Sequence, residues 1–315
     1  MSWSARDAGD LSGKVVVVTG GNSGVGFEAA RLFVARGAHV VLACRDVAKA
    51  DAARARIATP DTSRGGSLRG SASVLELDLA DLDSVESAAK NLAATHPVVD
   101  VLVNNAGVMG GGPMFTAQGH ERQMGTNHLG HFALTARVWP LLAAAAGGRV
   151  VAVSSIAARG GQLGPSMTER DLIDPQPYRS QAVYSNSKQA NLLFAQELHR
   201  RAAGSTVRVL AAHPGVSYTN LFLRQLRDEG RGWLVPAARV VMPVLFQSAA
   251  AGSLPLVRAA IDPDLRGGEF VGPRRFGQAR GAPELLEVYP QGADAAAAER
   301  LWSLSESLTG VSVPR

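Results

Sequence analysis

The strongest constraint on the fold is a regular alternation of short β-branched runs with longer runs rich in alanine and leucine. Several of the β-branched runs are apolar throughout, which is typical of parallel strands that are covered on both faces. The sequence predicts six such strands: Val15–Thr19, His39–Ala43, Val74–Leu77, Val99–Val103, Arg149–Val153 and Arg208–Ala211.

Helices are predicted between these strands, near Gly24–Arg36, Val47–Ile57, Leu82–Thr95, Arg122–Leu142 and Tyr184–Ala203. Strands and helices that alternate in this order build one doubly wound parallel β-sheet flanked by helices. A chain of 315 residues is long enough to bury the core of one large domain of this kind. We therefore expect a single domain of the α/β class.

Three segments interrupt the alternation. Thr59–Ser73 is rich in glycine, serine and arginine and is expected to be a surface loop. Ile156–Val183 is a long linker with three prolines, and long loops inside a compact domain are usually functional. From Leu221 onward the pattern loosens, and the apolar stretch Trp233–Phe246 fits either a mobile flap or a buried segment. We interpret residues 221–246 as a flap over the substrate.

Composition narrows the class of protein. Hydrophobic residues make up 46% of the chain and charged residues 19%, which argues against disorder and against a coiled coil. The single cysteine, Cys44, excludes a disulfide framework and fits a reducing, cytoplasmic location. The longest apolar stretch, Trp233–Phe246, is interrupted by Pro236 and Pro243 and is too short to cross a bilayer. We therefore expect no membrane span.

The positive charge gives little sign of nucleic-acid binding. The chain has 32 Lys and Arg against 27 Asp and Glu, and only four of the basic residues are lysines. The arginines are scattered instead of gathered on one predicted helix or face, and aromatic residues, at 5%, supply no stacking platform. A solvated, arginine-rich surface explains the charge, so we expect no nucleic-acid partner.

A glycine-rich loop follows the first predicted strand and opens the first helix. Its glycines permit a tight turn and a close backbone approach, and the helix N-terminus offers amides to a pyrophosphate. The strand, loop and helix context makes a dinucleotide site much more specific than the glycines alone. The candidate contacts are Gly20, Asn22, Ser23, Gly24, Val25 and Gly26.

The end of the second strand indicates which dinucleotide is preferred. An acidic residue here would bind the ribose 2′-hydroxyl of NAD, whereas an arginine can pair with the 2′-phosphate of NADP. Cys44 stands in the acidic position and Arg45 follows it, which favours NADP(H) over NAD(H). Asp46 leaves NAD(H) open, although its position also fits a helix cap.

Two further strand ends lie at the same predicted edge of the sheet. Asp78 and Leu79 follow the third strand, where a carboxylate and an adjacent amide could meet the adenine edge. Asp78 also fits a helix cap. After the fourth strand, the small residues of the Asn104–Gly107 turn leave room for a flat ring against the backbone, which makes Asn105, Ala106 and Gly107 candidate cofactor contacts.

Tyr184 and Lys188 stand four residues apart in a predicted helix, and therefore share one face. A phenol with a pKa near 10 is a poor acid at neutral pH, but a fixed ammonium nearby favours the phenolate and lowers that pKa. The pair could then transfer a proton to or from a substrate. The spacing alone also fits an exposed helix face, so its weight comes from the nucleotide loop and from the Ser154–Ser155 pair that ends the preceding strand.

Together these motifs resemble the classical short-chain dehydrogenase/reductase family, from about residue 14 to residue 271. The resemblance rests on the loop TGGNSGVG at 19–26, Asp78–Leu79, the turn NNAG at 104–107, Asn127, Ser155, Tyr184 with Lys188, and Pro214–Gly215 with Thr219. It implies a single-domain Rossmann fold and hydride transfer between a nicotinamide and a carbonyl/alcohol pair. Residues 272–315 are then a C-terminal extension.

The resemblance also implies roles for individual residues. Tyr184 is the proton donor or acceptor, Ser155 orients the substrate oxygen, and Lys188 lowers the pKa of Tyr184 and binds the nicotinamide ribose. The preference for Ser155 over Ser154 rests on the family pattern. Asn127 holds a water that links Lys188 to solvent, which completes a catalytic set of four. The segment Pro214, Gly215, Val216 and Thr219 lies beside the nicotinamide.

A closer resemblance is to the branch that holds retinol dehydrogenases, WW-domain oxidoreductases and protochlorophyllide reductases. NNAGVM at 104–109 and TNHLGHFALT at 126–135 carry it, and the long segment 156–183 resembles an active-site insertion of that branch. The branch implies lipophilic aldehydes, ketones or alcohols as small-molecule substrates. Family precedent for helices 122–142 and 184–203 as subunit interfaces leaves a homodimer or homotetramer open.

Two other functions compete with an NADP(H)-dependent oxidoreductase. One is a non-redox isomerase or dehydratase, disfavoured because the loop spacing is that of classical members of the family. The other is a nucleotide-sensing binding protein without turnover, disfavoured by the complete Ser, Tyr and Lys set. Five histidines invite a metal site, but no cysteine or carboxylate partners have ligand spacing, so we expect none: His120, His128, His131, His199 and His213. His128 and His131 lie within the branch motif and are expected to pack near the cofactor or a helix interface.

Overall fold

The computed structural model describes residues 3–4, 7–58, 70–216, 233 and 247–313. Its centre is one eight-stranded sheet with the order β3-β2-β1-β4-β5-β6-β7-β8, in which the last pair is antiparallel and all the others are parallel. The strands are β1 Val15–Thr19, β2 His39–Cys44, β3 Ser71–Glu76, β4 Val101–Asn104, β5 Arg149–Val153, β6 Arg208–Ala212, β7 Phe270–Arg275 and β8 Arg280–Leu286.

Helices cover both faces of this sheet. The α-helices are α1 Gly24–Ala35, α2 Val47–Ala58, α3 Leu82–Thr95, α4 Arg122–Met124, α5 Gly130–Ala143, α6 Glu169–Ile173, α7 Ser180–Arg201, α8 Ala249–Ile261 and α9 Ala295–Thr309. A π-helical turn, Gly125–Leu129, joins α4 to α5, and short 3₁₀ helices occupy Ile156–Gly160 and Pro290–Gly292. The predicted doubly wound α/β fold is confirmed.

Alternate residues of the central strands pack into two hydrophobic cores, one on each face of the sheet. Val16 and Val18 of β1 pack on the side of α1, α2 and α8, whereas Val17 packs on the side of α3, α5 and α7. All three side chains are 1% exposed or less. Burial on both faces explains why these strands are apolar throughout, and it leaves the carboxyl ends of the strands as the accessible edge.

Several boundaries differ from the predictions. β4 begins at Val101 instead of Val99, and the predicted helix Arg122–Leu142 is divided into α4, the π-helical turn and α5. β3 begins at Ser71, because pairing with β2 extends it into the predicted loop, of which residues 59–69 lie outside the described residues. The predicted linker 156–183 contains the 3₁₀ helix Ile156–Gly160 and α6. Its last residues belong to α7, which begins at Ser180, one turn before Tyr184. The predicted flap 221–246 lies outside the described residues except for Trp233.

The C-terminal part is more ordered than the loosening sequence pattern indicates. β7 runs across residue 271, where the resemblance ends, and with β8 it completes the sheet. α9 packs against α7 and α5, with Trp302 stacked at 6.1 Å from Phe194 and edge-on to Phe132. These two helices are the predicted subunit interface, and in this structure α9 covers part of their surface. No helix within the described ranges is long and apolar enough to cross a membrane.

Candidate active site

The glycine loop joins β1 to α1 at the carboxyl edge of the sheet. Gly20 and Gly24 have φ angles of 64° and 58°, in the left-handed region that favours glycine. A Cβ on Gly20 would come within 3.1 Å of Ala106, so the lack of a side chain lets the loop lie directly against the turn after β4. A Cβ on Gly26 would come closer still to the Asn105 side chain.

Thr19 fastens the glycine loop to that turn. Its hydroxyl oxygen accepts hydrogen bonds from the backbone amides of Asn105 at 2.8 Å and Ala106 at 2.9 Å. The Asn105 side-chain amide donates a hydrogen bond to the Thr19 carbonyl at 2.8 Å. These bonds fix the glycine loop, which is the predicted pyrophosphate contact, relative to the turn after β4, which is the predicted nicotinamide contact.

The start of α1 has the features of an anion site. Its N-cap residue, Ser23, makes no side-chain capping bond, and the first turn contains no acidic residue. The first amides of the helix are therefore left for another acceptor, and the positive end of the helix dipole is not neutralised. These observations fit the pyrophosphate of a dinucleotide, with Asn22, Ser23, Val25 and the glycines as its cradle.

No carboxylate stands at the end of β2. Cys44 is buried there and takes hydrogen bonds from the backbone of the glycine loop, while burial raises the pKa of its thiol to about 11. The Arg45 side chain is 72% exposed, and its Nη1 lies 3.7 Å from Oδ2 of Asp78. A cationic group thus faces solvent beside the predicted adenosine site.

The Asp46 carboxylate forms its hydrogen bonds with a residue close by in the chain. Its Oδ1 accepts from the backbone amide of Lys49 at 3.0 Å, as a cap at the start of α2, and its Oδ2 is paired with the Lys49 ammonium. These bonds, first the one from the Lys49 side chain, lower the pKa of Asp46. The alternative prediction for Asp46, a helix cap, is the one that matches this geometry.

Asp78 and Leu79 lie where the sequence places them, after β3. The Oδ1 of Asp78 accepts from the Ala80 amide at 2.9 Å, and the Asp78 amide donates to the Ser84 hydroxyl at 2.9 Å. Leu79 is buried, and Gly130 of α5 packs directly against its carbonyl. Asp78 therefore stabilises its own turn and also faces Arg45.

The two serines after β5 have different surroundings. The Ser154 hydroxyl is buried and donates to the main-chain carbonyl of Lys188 at 2.7 Å. The Ser155 hydroxyl accepts from the Ala157 amide at 3.2 Å, and it lies near enough to Tyr184 to lower the pKa of the phenol. Of the pair, Ser155 is therefore the serine beside the tyrosine, and its role toward a substrate stays a prediction.

The titration of Tyr184 differs from the prediction. The side chain is 7% exposed, and burial raises the pKa of its phenol to about 12, with Ser155 acting in the opposite direction. The Lys188 Nζ lies 5.9 Å from the centre of the tyrosine ring. Burial therefore dominates the pKa of Tyr184, and Lys188 is not among the groups that shift it in this structure.

Lys188 is a buried cation. It is 4% exposed, and its Nζ donates to the Val153 carbonyl at 3.2 Å. Burial lowers its pKa to about 8. A Cβ on Gly107 would lie 3.4 Å from this nitrogen, so the glycine keeps the space beside the ammonium open, as a ribose beside Lys188 would require.

The side chains of Asn127 and Lys188 both approach Gly107, in the turn after β4. A Cβ there would lie 3.2 Å from the Asn127 Oδ1. That oxygen accepts from the Val108 amide at 2.8 Å, and the Asn127 Nδ2 donates to the Val108 carbonyl at 3.0 Å and to the Ser187 hydroxyl at 2.9 Å. The side chain thus fixes the turn after β4, and its part in holding a water stays a prediction.

The segment after β6 also reaches this edge. Gly215 has a φ of 68°, and a Cβ there would lie 2.5 Å from the Ala279 carbonyl. The Val216 amide donates to the same carbonyl at 2.8 Å. Pro214 accepts from the Gln247 side chain, and Thr219 lies outside the described residues.

Sequence reasoning missed two polar residues of this region. Ser187 donates to the Tyr184 carbonyl at 2.8 Å while it accepts from Asn127, and its position inside the YxxxK motif was an available signal. Gln247 is 6% exposed and holds Pro214, but an isolated glutamine gives no such signal. In the described part of the chain, no cluster of three or more His, Cys, Asp or Glu side chains could hold a metal ion.

Comparison with known proteins agrees with this geometry. Residues 14–167 match the family model described as short chain dehydrogenase. Retinol dehydrogenase 14 of Mus musculus is 37% identical over 97% of this chain and 88% of its own. The WW domain-containing oxidoreductase of Danio rerio is 37% identical over 95% of this chain and 69% of its own. A solved structure of an uncharacterized protein from Mycobacterium paratuberculosis is 38% identical, with a TM-score of 0.79 and full coverage of both chains.

Fold, motif order and identity together assign the class. The chain belongs to the short-chain dehydrogenase/reductase family of oxidoreductases, in its retinol dehydrogenase branch.

Proposed function

We propose that this chain is an NADP(H)-dependent oxidoreductase that transfers hydride between the nicotinamide and a carbonyl/alcohol pair, with a lipophilic aldehyde or ketone as the carbonyl partner. The observation that carries the proposal is the proximity of Ser155, Tyr184 and Lys188 to one another, with Lys188 beside the turn after β4 that packs on the glycine loop. Membership of a family of oxidoreductases supports the general reaction.

The cofactor would lie along the carboxyl edge of the sheet. Its pyrophosphate would meet the amides at the start of α1, and its nicotinamide would rest against the turn after β4 and the segment after β6. The residues proposed to bind it are Gly20, Asn22, Ser23, Gly24, Val25, Gly26, Arg45, Asp78, Leu79, Asn105, Ala106, Gly107, Tyr184, Lys188, Pro214, Gly215, Val216 and Thr219.

The preference for NADP(H) rests on charge at the end of β2. Cys44 brings no carboxylate to bind a ribose hydroxyl, and the carboxylate of Asp46 is already paired with Lys49. Arg45 presents an exposed guanidinium, whose planar donors suit a phosphate. Asp78 holds this guanidinium at 3.7 Å, a distance at which a phosphate could compete for it.

Tyr184 is the proposed proton donor in the direction of reduction. As the carbonyl carbon is reduced, the Tyr184 O–H bond breaks and its proton forms a new O–H bond on the substrate oxygen, which leaves a phenolate. The Ser155 hydroxyl donates to the same substrate oxygen and stabilises its developing charge. Hydride transfer to or from the substrate carbon is the chemistry that a bound nicotinamide supplies.

Lys188 stabilises the phenolate left on Tyr184. With a pKa of about 8 it carries its proton at neutral pH, and its burial strengthens its interaction with a nearby negative charge. A neutral phenol with a pKa of about 12 gains little from the ammonium, whereas the phenolate gains much more. The site therefore favours the charge distribution that develops during the reaction.

A lipophilic substrate is favoured by the relatives and by exposed apolar side chains in the segment after β4. The relatives named retinol dehydrogenase carry the name of a lipophilic alcohol. Met114 and Phe115, between β4 and α4, are 49% and 54% exposed. If they border the substrate, they offer an apolar carbon chain a surface from which water can be excluded.

The proposal is tested with purified protein, NADPH or NADH, and aldehydes and ketones of increasing chain length. We expect oxidation of NADPH that depends on the carbonyl compound, with kcat/KM rising as the apolar chain lengthens and with NADH used more weakly. Equal use of NADH would contradict the cofactor preference. A lack of turnover throughout the panel, and with the matching alcohols and NADP⁺, would contradict the enzymatic function.

A further inference from the structure

His131 bridges the glycine loop and the active-site asparagine. It lies in the first turn of α5 and is 2% exposed. Its Nδ1 is 2.9 Å from the main-chain carbonyl oxygen of Asn127, and its Nε2 is 2.9 Å from the hydroxyl of Thr19. The sequence motif predicts that this histidine packs near the cofactor or a helix interface, but it gives no sign of these two bonds.

The direction of each bond follows from donor and acceptor chemistry. A carbonyl oxygen only accepts, so the proton of the neutral ring lies on Nδ1 and points at Asn127. Nε2 is then an acceptor, and the Thr19 hydroxyl donates to it. The oxygen of that hydroxyl already accepts from the amides of Asn105 and Ala106, and the other possible acceptor, the Val103 carbonyl, is farther away at 3.3 Å. All the hydrogen-bonding positions of Thr19 and of the ring are thus used.

The chain of bonds continues from Asn127 into α7. The Asn127 side chain donates to the Ser187 hydroxyl at 2.9 Å, and Ser187 donates to the Tyr184 carbonyl at 2.8 Å. Thr19 lies where the nucleotide loop begins, and Tyr184 carries the proposed proton. Fully satisfied buried networks of this kind fix the relative position of the elements they join.

We propose that His131 is a positioning residue that couples occupancy of the nucleotide loop to the placement of α7, through Thr19 on one side and Asn127 on the other. The proposal rests on the proposed function, since it assumes that a dinucleotide binds the glycine loop. His131 itself touches no group that reacts. It acts by holding Tyr184 and Lys188 in register with the site that the cofactor fills.

His128 provides a matched control from the same chain. It is also buried, at 1% exposure, but its Nε2 is 2.8 Å from the Ser305 hydroxyl of α9 and not from the nucleotide loop. Burial lowers the pKa of both rings, to about 3 for His128 and about 4 for His131, so both are neutral at pH 7. A histidine that serves packing alone should behave like His128 when it is replaced.

The test is hydrogen exchange of the amides of residues 184–188 with and without NADP⁺, in the wild-type chain, His131→Leu and His128→Leu. We expect NADP⁺ to slow exchange in the wild type and in His128→Leu, and to have less than half that effect in His131→Leu. In the same variant we expect kcat to fall roughly 10- to 100-fold while the KM for NADPH changes less than threefold, because misplacement of a reacting group by about 1 Å has effects of this size. The same NADP⁺ protection and kcat in both histidine variants would overturn the proposal.

Two polar replacements separate the two bonds and guard against misfolding of the leucine variant. His131→Asn keeps an amide donor near the Asn127 carbonyl, and His131→Gln keeps an acceptor near Thr19. Because the coupling needs both links, we expect neither variant to recover the wild-type protection by NADP⁺, and full recovery in either would overturn the bridge. A wild-type chain whose exchange is unaffected by NADP⁺, and which does not bind it, would overturn the proposed function as well. Normal binding and protection in the wild type and in all His131 variants would overturn the coupling alone.

Discussion

The Lys188 ammonium is buried against the Val153 carbonyl, with 3.2 Å between Nζ and the oxygen and no carboxylate among its described hydrogen-bond or ion-pair partners. A cation in this position destabilises the folded chain, because desolvation is not offset by an opposite charge. Its pKa of about 8, against 10.5 for a solvated lysine, expresses the same cost. The arrangement is understandable if the charge serves chemistry at Tyr184.

Lys188→Met should therefore stabilise the fold and abolish activity. One pKa unit corresponds to about 1.4 kcal/mol, so relief of the shift should raise the free energy of unfolding at pH 7 by up to about 3 kcal/mol. The kcat should fall at least roughly 100-fold, since the phenolate loses its stabilising charge. Denaturant unfolding and steady-state kinetics measure the two effects. Lys90→Met, at a lysine paired with Glu86 on the surface, is the control and should change neither appreciably.

The same shift predicts how stability depends on pH. Between pH 8 and 10.5 the unfolded chain keeps the Lys188 proton while the folded chain has lost it, so this group makes stability rise with pH across that window. The rise should be present in the wild-type chain and absent in Lys188→Met. Unfolding curves at pH 7.5 and 10 compare the two proteins, and an equal pH dependence in both would contradict the buried, depressed lysine.

Arg45→Ala should weaken NADPH and leave NADH almost unchanged. A charge-assisted hydrogen bond to a phosphate contributes roughly 1.5–3 kcal/mol, which corresponds to about a 10- to 100-fold rise in the Kd for NADPH. NADH lacks the 2′-phosphate and should bind with its former affinity. Fluorescence titration of both nucleotides measures the effect, and Arg54→Ala, at an exposed arginine of α2, serves as the control. Equal losses for the two nucleotides would show that Arg45 does not recognise the phosphate.

Leu301→Ala should show that α9 is part of the fold. Leu301 is 1% exposed and packs in a cluster with Leu193 of α7, so its truncation should cost about 2–5 kcal/mol. Ser303→Ala, at an exposed position of the same helix, should cost far less. Thermal and denaturant unfolding provide the measurement, and a cost below about 1 kcal/mol for Leu301→Ala would mean that α9 can detach without affecting the remainder.

The sequence predicts β1, β2, β4, β5 and β6 because burial on both faces makes them apolar runs. β3 is an edge strand with partly buried residues, and only its second half is predicted. The sequence does not predict β7 and β8, because these strands contain Pro273, Gly281 and Pro283 and several charged residues. Proline is tolerated in β8 because it is the edge strand, and in β7 because Pro273 lies beyond Phe270 and Val271, the residues that pair with β6. The π-helical turn before α5 also leaves no recognisable sequence pattern.

The candidate site, like the fold, could be predicted from the sequence only in part. Spacing along the chain brings Tyr184 and Lys188 to one helix face, and it places the strand ends at one edge. Spacing along the chain does not show how deeply a side chain is buried. The expected lowering of the Tyr184 pKa therefore did not allow for the desolvation that raises this pKa to about 12. Spacing also does not show which side chains form hydrogen bonds with each other. The bond from Ser154 to the Lys188 carbonyl and the bridge made by His131 are seen only in the folded structure.

The most direct test of the proposed chemistry follows deuterium from NADPH labelled at C4 of the nicotinamide, on either face, into the alcohol formed from a lipophilic aldehyde or ketone. The wild-type chain should place the label from one face on the former carbonyl carbon. Tyr184→Phe should still bind NADPH, because the other proposed contacts remain, and should transfer label roughly 100- to 10,000-fold more slowly. Transfer at the wild-type rate by Tyr184→Phe, or an alcohol that carries no label from either face, would contradict the account.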